Sequence, residues 1–352
     1  MMPRRFIPSC FAALTLLVSA NCSRPAPETK ARIGTIERLD PALDELVDVS
    51  APIEKIAGGH EITEGPIYRP EGYLLFSDIP RNTIYKWTPG SGESVFRKPS
   101  GYDGTDTPVP GHIVGSNGLT IDKQGRLIIC EHGNRRVTRL EPDGSLTVLA
   151  DHYQGKRLNS PNDVIVKSDG TIYFSDPPYG LLKQDDDPAK ELKINGLYRI
   201  SGSKLELVVS DLSRPNGLAF SPDEKILYVA NSDPARRIWM SYPVKPDGTL
   251  GAGTVFNDVT SDKRDGLPDG MKLDVKGNIY AASPGGMRIF SPAGKLIGTI
   301  TLPEIPHNCA WGKYSTDAAS APLGPNEIAD TLYITARPSV YRIHMKVAGI
   351  RP

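Results

Sequence analysis

One short pattern recurs six times along this chain, and that repetition restricts the fold more than any other feature. Each copy opens on a side chain that carries an oxygen, continues with a small residue, and runs into a series of strands separated by turns. Glu64-Gly65-Pro66, Asn117-Gly118-Leu119 and Asn162-Asp163-Val164 open the first three copies. Asn216-Gly217-Leu218, Asp269-Gly270-Met271 and Asn308-Cys309-Ala310 open the last three. Each opening is followed by an apolar run such as Leu74-Leu75-Phe76, Leu127-Ile128-Ile129 or Tyr173-Phe174, and then by a second one such as Thr83-Ile84-Tyr85 or Gly196-Leu197-Tyr198. The leading residues lie 39 to 54 positions apart, close to the roughly 40–50 residues of a four-stranded propeller blade.

Local chemistry agrees with an all-β chain. The runs are rich in β-branched and aromatic residues, and Asp143-Gly144, Asp169-Gly170 and Asp247-Gly248 suit tight hairpins. Helical periodicity is weak throughout. With 34 Gly and 32 Pro in 352 residues, these two types fill about a fifth of the chain, against a usual level of roughly 12%. Six blades, each with several turns, account for that excess. The expected fold is therefore an all-β six-bladed β-propeller with a central metal-binding channel, spanning residues 49–352. Residues 49–58 are expected to supply an outer strand that closes the ring. A seven-bladed ring lacks a seventh copy, and the unit is too long for a β-helix coil.

Charge excludes some partners. Lys plus Arg is 41 and Asp plus Glu is 41, so the chain lacks the basic excess of a nucleic-acid footprint or a polybasic membrane patch. Met1 to Arg5 is basic and Phe6 to Ala20 is mostly apolar, too short for a transmembrane span. With Val18-Ser19-Ala20 as a cleavage site, residues 1–20 read as a signal peptide and the mature protein as exported to the periplasm. Cys22 leaves a second reading open, lipid anchoring, although Asn21 fits a lipoprotein signal poorly. Residues 21–48, rich in Pro, Ala and charge, read as a flexible linker. No C-x-x-C pair exists, so a thiolate zinc site is not indicated. Cys130 and Cys309 are expected as small buried residues rather than a disulfide. A monomer or weak dimer is expected.

In a propeller the innermost strand of each blade lines the channel, so six equivalent positions converge on one axis. They hold Glu64, Asn117, Asn162, Asn216, Asp269 and Asn308. All six offer side-chain oxygens, the donor chemistry of Ca²⁺ or a similar hard divalent ion. The competing reading is that Asn and Asp merely favour turns; Glu64 is not explained that way. No His occupies these positions, which disfavours a nitrogen-rich zinc site.

Several of these motifs resemble the senescence-marker protein/gluconolactonase family, which includes regucalcin. They are Glu64-Gly65-Pro66, Ser160-Pro161-Asn162-Asp163, Arg214-Pro215-Asn216-Gly217-Leu218 and Pro268-Asp269-Gly270-Met271. Cys130-Glu131-His132-Gly133-Asn134-Arg135-Arg136 and Tyr173-Phe174-Ser175-Asp176-Pro177-Pro178-Tyr179-Gly180-Leu181 are similar to its bacterial gluconolactonase branch. The resemblance runs from about Ile56 to Ile343. It implies a six-bladed propeller holding one divalent cation, with Ca²⁺ expected first and Zn²⁺, Mg²⁺ or Mn²⁺ also compatible. By resemblance Glu64, Asn162, Asn216 and Asp269 match the metal ligands, and the activity is hydrolysis of a sugar lactone.

In that chemistry the cation polarises the lactone carbonyl and a water attacks it. Asp269 is the expected catalytic residue, holding or deprotonating the water, with Glu64 balancing charge. Asn117, His132, Arg135, Asn162, Tyr179 and His307 are expected around the substrate, and Asp163 as a partner that orients Asn162. No G-x-S-x-G elbow supports a serine hydrolase. Two alternatives remain: an exported propeller that binds a partner around a structural Ca²⁺, and a phosphotriesterase-like hydrolase of the kind found in the related propeller diisopropyl fluorophosphatase.

Overall fold

In the computed structural model, which describes residues 33–104, 112–317, 324 and 327–351, each sequence copy forms one antiparallel sheet. Blade 1 contains Thr63–Arg69, Tyr73–Asp78, Thr83–Thr88 and Gly92–Arg97, counted outward from the axis. Blade 2 follows with Ser116–Ile121, Leu127–Glu131, Arg136–Leu140 and Leu146–Ala150. Blade 3 has Val164–Val166, Ile172–Asp176, Gly196–Ser201 and Lys204–Val209, and blade 4 has Pro215–Phe220, Ile226–Asp233, Arg236–Pro243 and Thr254–Asp258. Blade 5 is built from Met271–Leu273, Ile279–Ser283, Gly286–Phe290 and Leu296–Thr301. Blade 6 draws Asn308–Gly312, Thr331–Ala336 and Ser339–His344 from the C-terminal part of the chain.

The fourth strand of blade 6 comes from the other end of the sequence. Ile53–Gly58 pairs with Ser339–His344, with Ile53 opposite Ile343 and Gly58 opposite Ser339. This is the closing strand expected within residues 49–58. The six inner strands touch one another in ring order, and blade 6 meets blade 1. Two short 3₁₀ turns, Pro41–Glu45 and Gln184–Asp186, are the only helical elements among the described residues.

Aromatic and aliphatic side chains of successive sheets interleave between blades. Tyr173, Leu218, Val229 and Met240 pack between blades 3 and 4, and Trp239, Met271, Ala281 and Phe290 between blades 4 and 5. Cys130 and Cys309 are fully buried free thiols in separate clusters, as expected. The proposed signal and Cys22 lie outside the described residues, and no helix among those described is long and apolar enough to cross a membrane.

The linker reading of residues 21–48 needs correction over its second half. Thr35–Arg38 pairs with Leu296–Thr301 as a fifth, outermost strand of blade 5. The Asp40 carboxylate then accepts the Ala42 N–H at 2.9 Å, capping the 3₁₀ turn. Leu43 in that turn, and Leu46 and Val47 just after it, are buried in the core that joins blades 5, 6 and 1. The surrounding Pro, Ala and charged residues disguise these three. Leu43 is wholly buried, so Leu43→Ala is expected to cost about 2–5 kcal/mol, seen as a lower midpoint in denaturant. Glu45→Ala, at an exposed position of the same turn, should stay within about 0.5 kcal/mol.

Candidate functional site

The leading residues reach the axis because the inner strands are irregular just where they begin. Pairing with the second strand shifts register between Glu64 and Ile67, between Ser116 and Leu119, and between Pro215 and Leu218. Such bulges re-aim a side chain out of the ladder. Regular pairing in blades 3 and 5 starts only at Val164 and Met271, two residues beyond Asn162 and Asp269.

The next position is Gly in four copies because the neighbouring blade approaches there. A Cβ on Gly65 would lie 2.0 Å from Asn117 O, and one on Gly270 would lie 1.9 Å from Asn308 Cγ. Second-strand residues hold the lead-in loops. Asp176 accepts the N–H groups of Asn159 (2.7 Å) and Ser160 (2.8 Å). Asn231 Oδ1 accepts that of Arg214 at 2.8 Å.

Five of the six leading side chains are joined by direct hydrogen bonds. Asn117 Nδ2 donates to Asn162 Oδ1 at 2.6 Å, and Asn162 Nδ2 donates to Asn216 Oδ1 at 2.6 Å. Asn216 Nδ2 continues to Ser232 Oγ at 2.9 Å, and the Ser232 hydroxyl donates to Pro268 O. Across the ring, Asn308 Nδ2 donates to Glu64 Oε2 at 3.1 Å, which also accepts the Gly65 N–H at 2.7 Å. Asp269, the sixth, interacts with Asn216 and lies close enough to feel the charges of Glu64 and Asp163.

Glu64, Asn117, Asn162 and Asn216 are 4–6% exposed. Asp269, Tyr179 and His307 keep more open surface.

Electrostatics single out the carboxylates. Burial pushes Glu64 up to about 7, and the charge of Asp163 adds to the effect. Burial first, then the charges of Glu64 and Asp163, raise Asp269 well above the ordinary carboxylate range. Asp163 spends its own oxygens on the Val164 N–H (2.9 Å) and the Leu218 N–H (3.3 Å) of the adjoining blade. Lys272 Nζ donates to Met271 O at 3.0 Å and Asn308 Oδ1 at 3.5 Å, and its charge partly offsets that of Glu64.

This donor set fits a divalent cation. Carboxylates held close together without a matching positive charge are costly, and the oxygens of Glu64, Asn162, Asn216 and Asp269 are the hard ligands such an ion takes. Among the described residues no three His, Cys, Asp or Glu side chains form a ligand cluster; an ion at this ring would also need the amide oxygens.

Two expected substrate contacts are placed elsewhere. His132 is wholly buried, with Nε2 3.2 Å from Asn117 Nδ2 and Nδ1 3.3 Å from Ile113 O, and burial pushes its pKa down to about 4. Arg135, in the left-handed region at φ 58°, donates through Nε to Leu158 O and Asn159 O and through Nη1 to Ala189 O. Its guanidinium thus braces the loop before Asn162 through Nε, while Nη2 is buried without a hydrogen-bond partner. Tyr179 does reach the centre: burial and the Asp269 charge raise its pKa, while Ser232 and Asn216 pull it back. His307 is pushed down to about 4 by burial. Ser232 and Lys272 were not anticipated. Ser232 repeats Ser77 and Ser175 at the ends of second strands, and Ser77 Oγ likewise donates to Asn117 O at 2.8 Å.

A separate cavity of about 380 Å³ lies toward the far ends of the inner strands, walled by Ile67, Leu119, Val164, Leu218, Leu273 and Trp311. Its lining also carries Asp223, Glu224, Lys272 and Arg351, but none of the ring carboxylates Glu64, Asp163 or Asp269.

The model of the SMP-30/Gluconolactonase/LRE-like region matches residues 62–318. The chain belongs to this family. The gluconolactonase of Zymomonas mobilis subsp. mobilis is 39% identical over 96% of this chain and 94% of its own length. Regucalcin of Xenopus laevis is 27% identical over 72% of this chain and 80% of its own. The solved structure of the gluconolactonase XC5397 from Xanthomonas campestris is 30% identical with a TM-score of 0.73, covering 88% of this chain and 95% of that one. The family thus accounts for the repeat, the propeller and the motifs that open the blades.

The shifted carboxylates give a pH test with a definite sign. Glu64 moves from 4.5 to about 7 on folding, so the stability of its protonated form is present below pH 4.5 and lost as pH rises through about 7. His132 and His307, lowered from 6.5 to about 4, act oppositely as pH falls through 6.5, while Asp176, raised from 3.8 to about 7 by burial, and Asp269 act with Glu64. Without divalent ions the protein should melt lower at pH 8.5 than at pH 6.5, and Glu64→Gln should shrink that difference. Millimolar Ca²⁺ should raise the melting temperature more at pH 8.5.

Proposed function

We propose that this lactone hydrolase opens a sugar lactone at the ring of Glu64, Asn162, Asn216 and Asp269, with a divalent cation, Ca²⁺ foremost, held by those oxygens. The observation that carries the reading is the convergence of two raised-pKa carboxylates with amide oxygens at the axis, in a chain 39% identical to a gluconolactonase. A bound cation would supply electrophilic polarisation of the lactone carbonyl and stabilise the developing oxyanion.

The chain's own groups carry the proton. Asp269, a carboxylate with open surface in the channel, accepts a proton from the attacking water as the new C–O bond forms. It returns that proton to the ring oxygen when the ester C–O bond breaks, leaving a hydroxy acid. Its raised proton affinity suits a base that must also act as an acid. Glu64 would contribute charge, and the Asn117 amide oxygen and Tyr179 hydroxyl would meet sugar hydroxyls. The basic and apolar N-terminal segment supports export, so the lactone would be met in the periplasm, with the protein soluble or anchored through Cys22.

Acid release from glucono-δ-lactone tests this reading. Turnover should vanish with chelator and return with Ca²⁺ or Mn²⁺. Asp269→Asn should fold and lose about 10²–10⁴-fold in kcat. An Asp269→Asn enzyme within threefold of wild type would remove Asp269 from the chemistry.

A further inference from the structure

Asn117, Asn162 and Asn216 are amides, and an amide presents an oxygen or an NH₂ depending on how it is turned. The ring can use their oxygens only if something fixes that choice. The row of bonds through them is anchored at both ends by backbone carbonyls, which can only accept. At one end His132 Nδ1 faces Ile113 O, so Nδ1 carries the proton and Nε2 the lone pair. Asn117 therefore turns its NH₂ toward Nε2, and the second hydrogen of the same NH₂ goes to Asn162 Oδ1.

From there the bonds run one way, from Asn162 to Asn216 to Ser232, and end on Pro268 O. Every side chain in the row is buried. Turning any one amide would set oxygen against oxygen or NH₂ against NH₂. Relief would require every later member to turn as well, which would take the Ser232 hydrogen away from Pro268 O.

We propose that His132 is a positioning residue: its tautomer sets the direction of this row and so holds the Asn162 and Asn216 oxygens ready for a ligand. Each of those oxygens accepts one N–H and keeps a second lone pair, and Asn117 Oδ1 is left out of the row altogether. A row of aligned bonds is also stiffer than its members taken singly. The proposal rests on the ring being the cation and lactone site, and it gives His132 a role without contact to either ligand.

The test has one reading that needs no ligand. In ¹⁵N spectra of metal-free protein, assigned by loss of the signal in His132→Gln, the ring should show the Nδ1–H tautomer at pH 7. An Nε2–H tautomer or a doubly protonated ring overturns the proposal. The second reading compares His132→Leu with His132→Gln by calorimetric Ca²⁺ titration and by KM for glucono-δ-lactone. Gln can donate to Ile113 O and accept from Asn117, whereas Leu fills the space and does neither.

Leu should weaken Ca²⁺ binding and raise KM by about tenfold, the effect of one lost buried hydrogen bond, and Gln should recover to within threefold. A merely space-filling role predicts that Leu matches wild type, and that result overturns the proposal. If Leu fails to fold, the tautomer and the Gln variant still decide it. Wild-type protein that binds no Ca²⁺ and opens no lactone would sink the reading of the site, while the tautomer measurement would still stand for or against this one.

Discussion

The close approach of six inner strands to one axis is the constraint on which the remaining structure depends. At Gly65 and Gly270 a neighbouring blade occupies the space a Cβ would need. With side chains excluded at the four glycines, the preceding residue in those copies becomes the one that faces the axis, helped by register shifts in three inner strands. Loop-holding groups such as Asp176 and Asn231 then fix how each lead-in segment arrives. The ring of oxygens is thus a product of backbone packing, and its chemistry follows from which six side chains occupy it.

That ring is electrostatically unfinished as protein alone. The charge of Asp163 raises the proton affinity of Glu64 and of Asp269, Glu64 raises that of Asp269 further, and Lys272 offsets only part of the effect at Glu64. Desolvated like charges resist ionising together, so an added cation would replace protons at the same oxygens. Neutral amides would complete such a ligand set without cancelling the charge of the ion, a division that would keep it electrophilic.

Much of this was legible before any coordinates. Spacing exposed the blades, and equivalent positions exposed Glu64, Asn117, Asn162, Asn216, Asp269 and Asn308, because a repeat converts sequence position into spatial position. The closing strand Ile53–Gly58 was also readable from its β-branched residues and its place before blade 1. Thr35–Arg38 was not, since a four-residue strand with one buried side chain has no usable alternation. Leu43, Leu46 and Val47 were hidden among polar neighbours. His132 and Arg135 look equally functional in sequence, yet both act inward. Their partners are the Asn117 amide and the backbone carbonyls of Ile113, Leu158, Asn159 and Ala189, which composition cannot specify. Ser232 was overlooked although Ser77 and Ser175 mark the same position in other blades.

The strand that completes blade 6 has a consequence for the order of events during biogenesis. Ile53–Gly58 leaves the ribosome early, and its partner Ser339–His344 emerges almost at the end. Blade 5 repeats the dependence through Thr35–Arg38 and Leu296–Thr301. Pairings this distant in sequence form late and slow folding, so the finished ring cannot assemble on a partial chain. The molecule therefore carries its own delay, remaining without a closed ring until nearly the whole polypeptide is available.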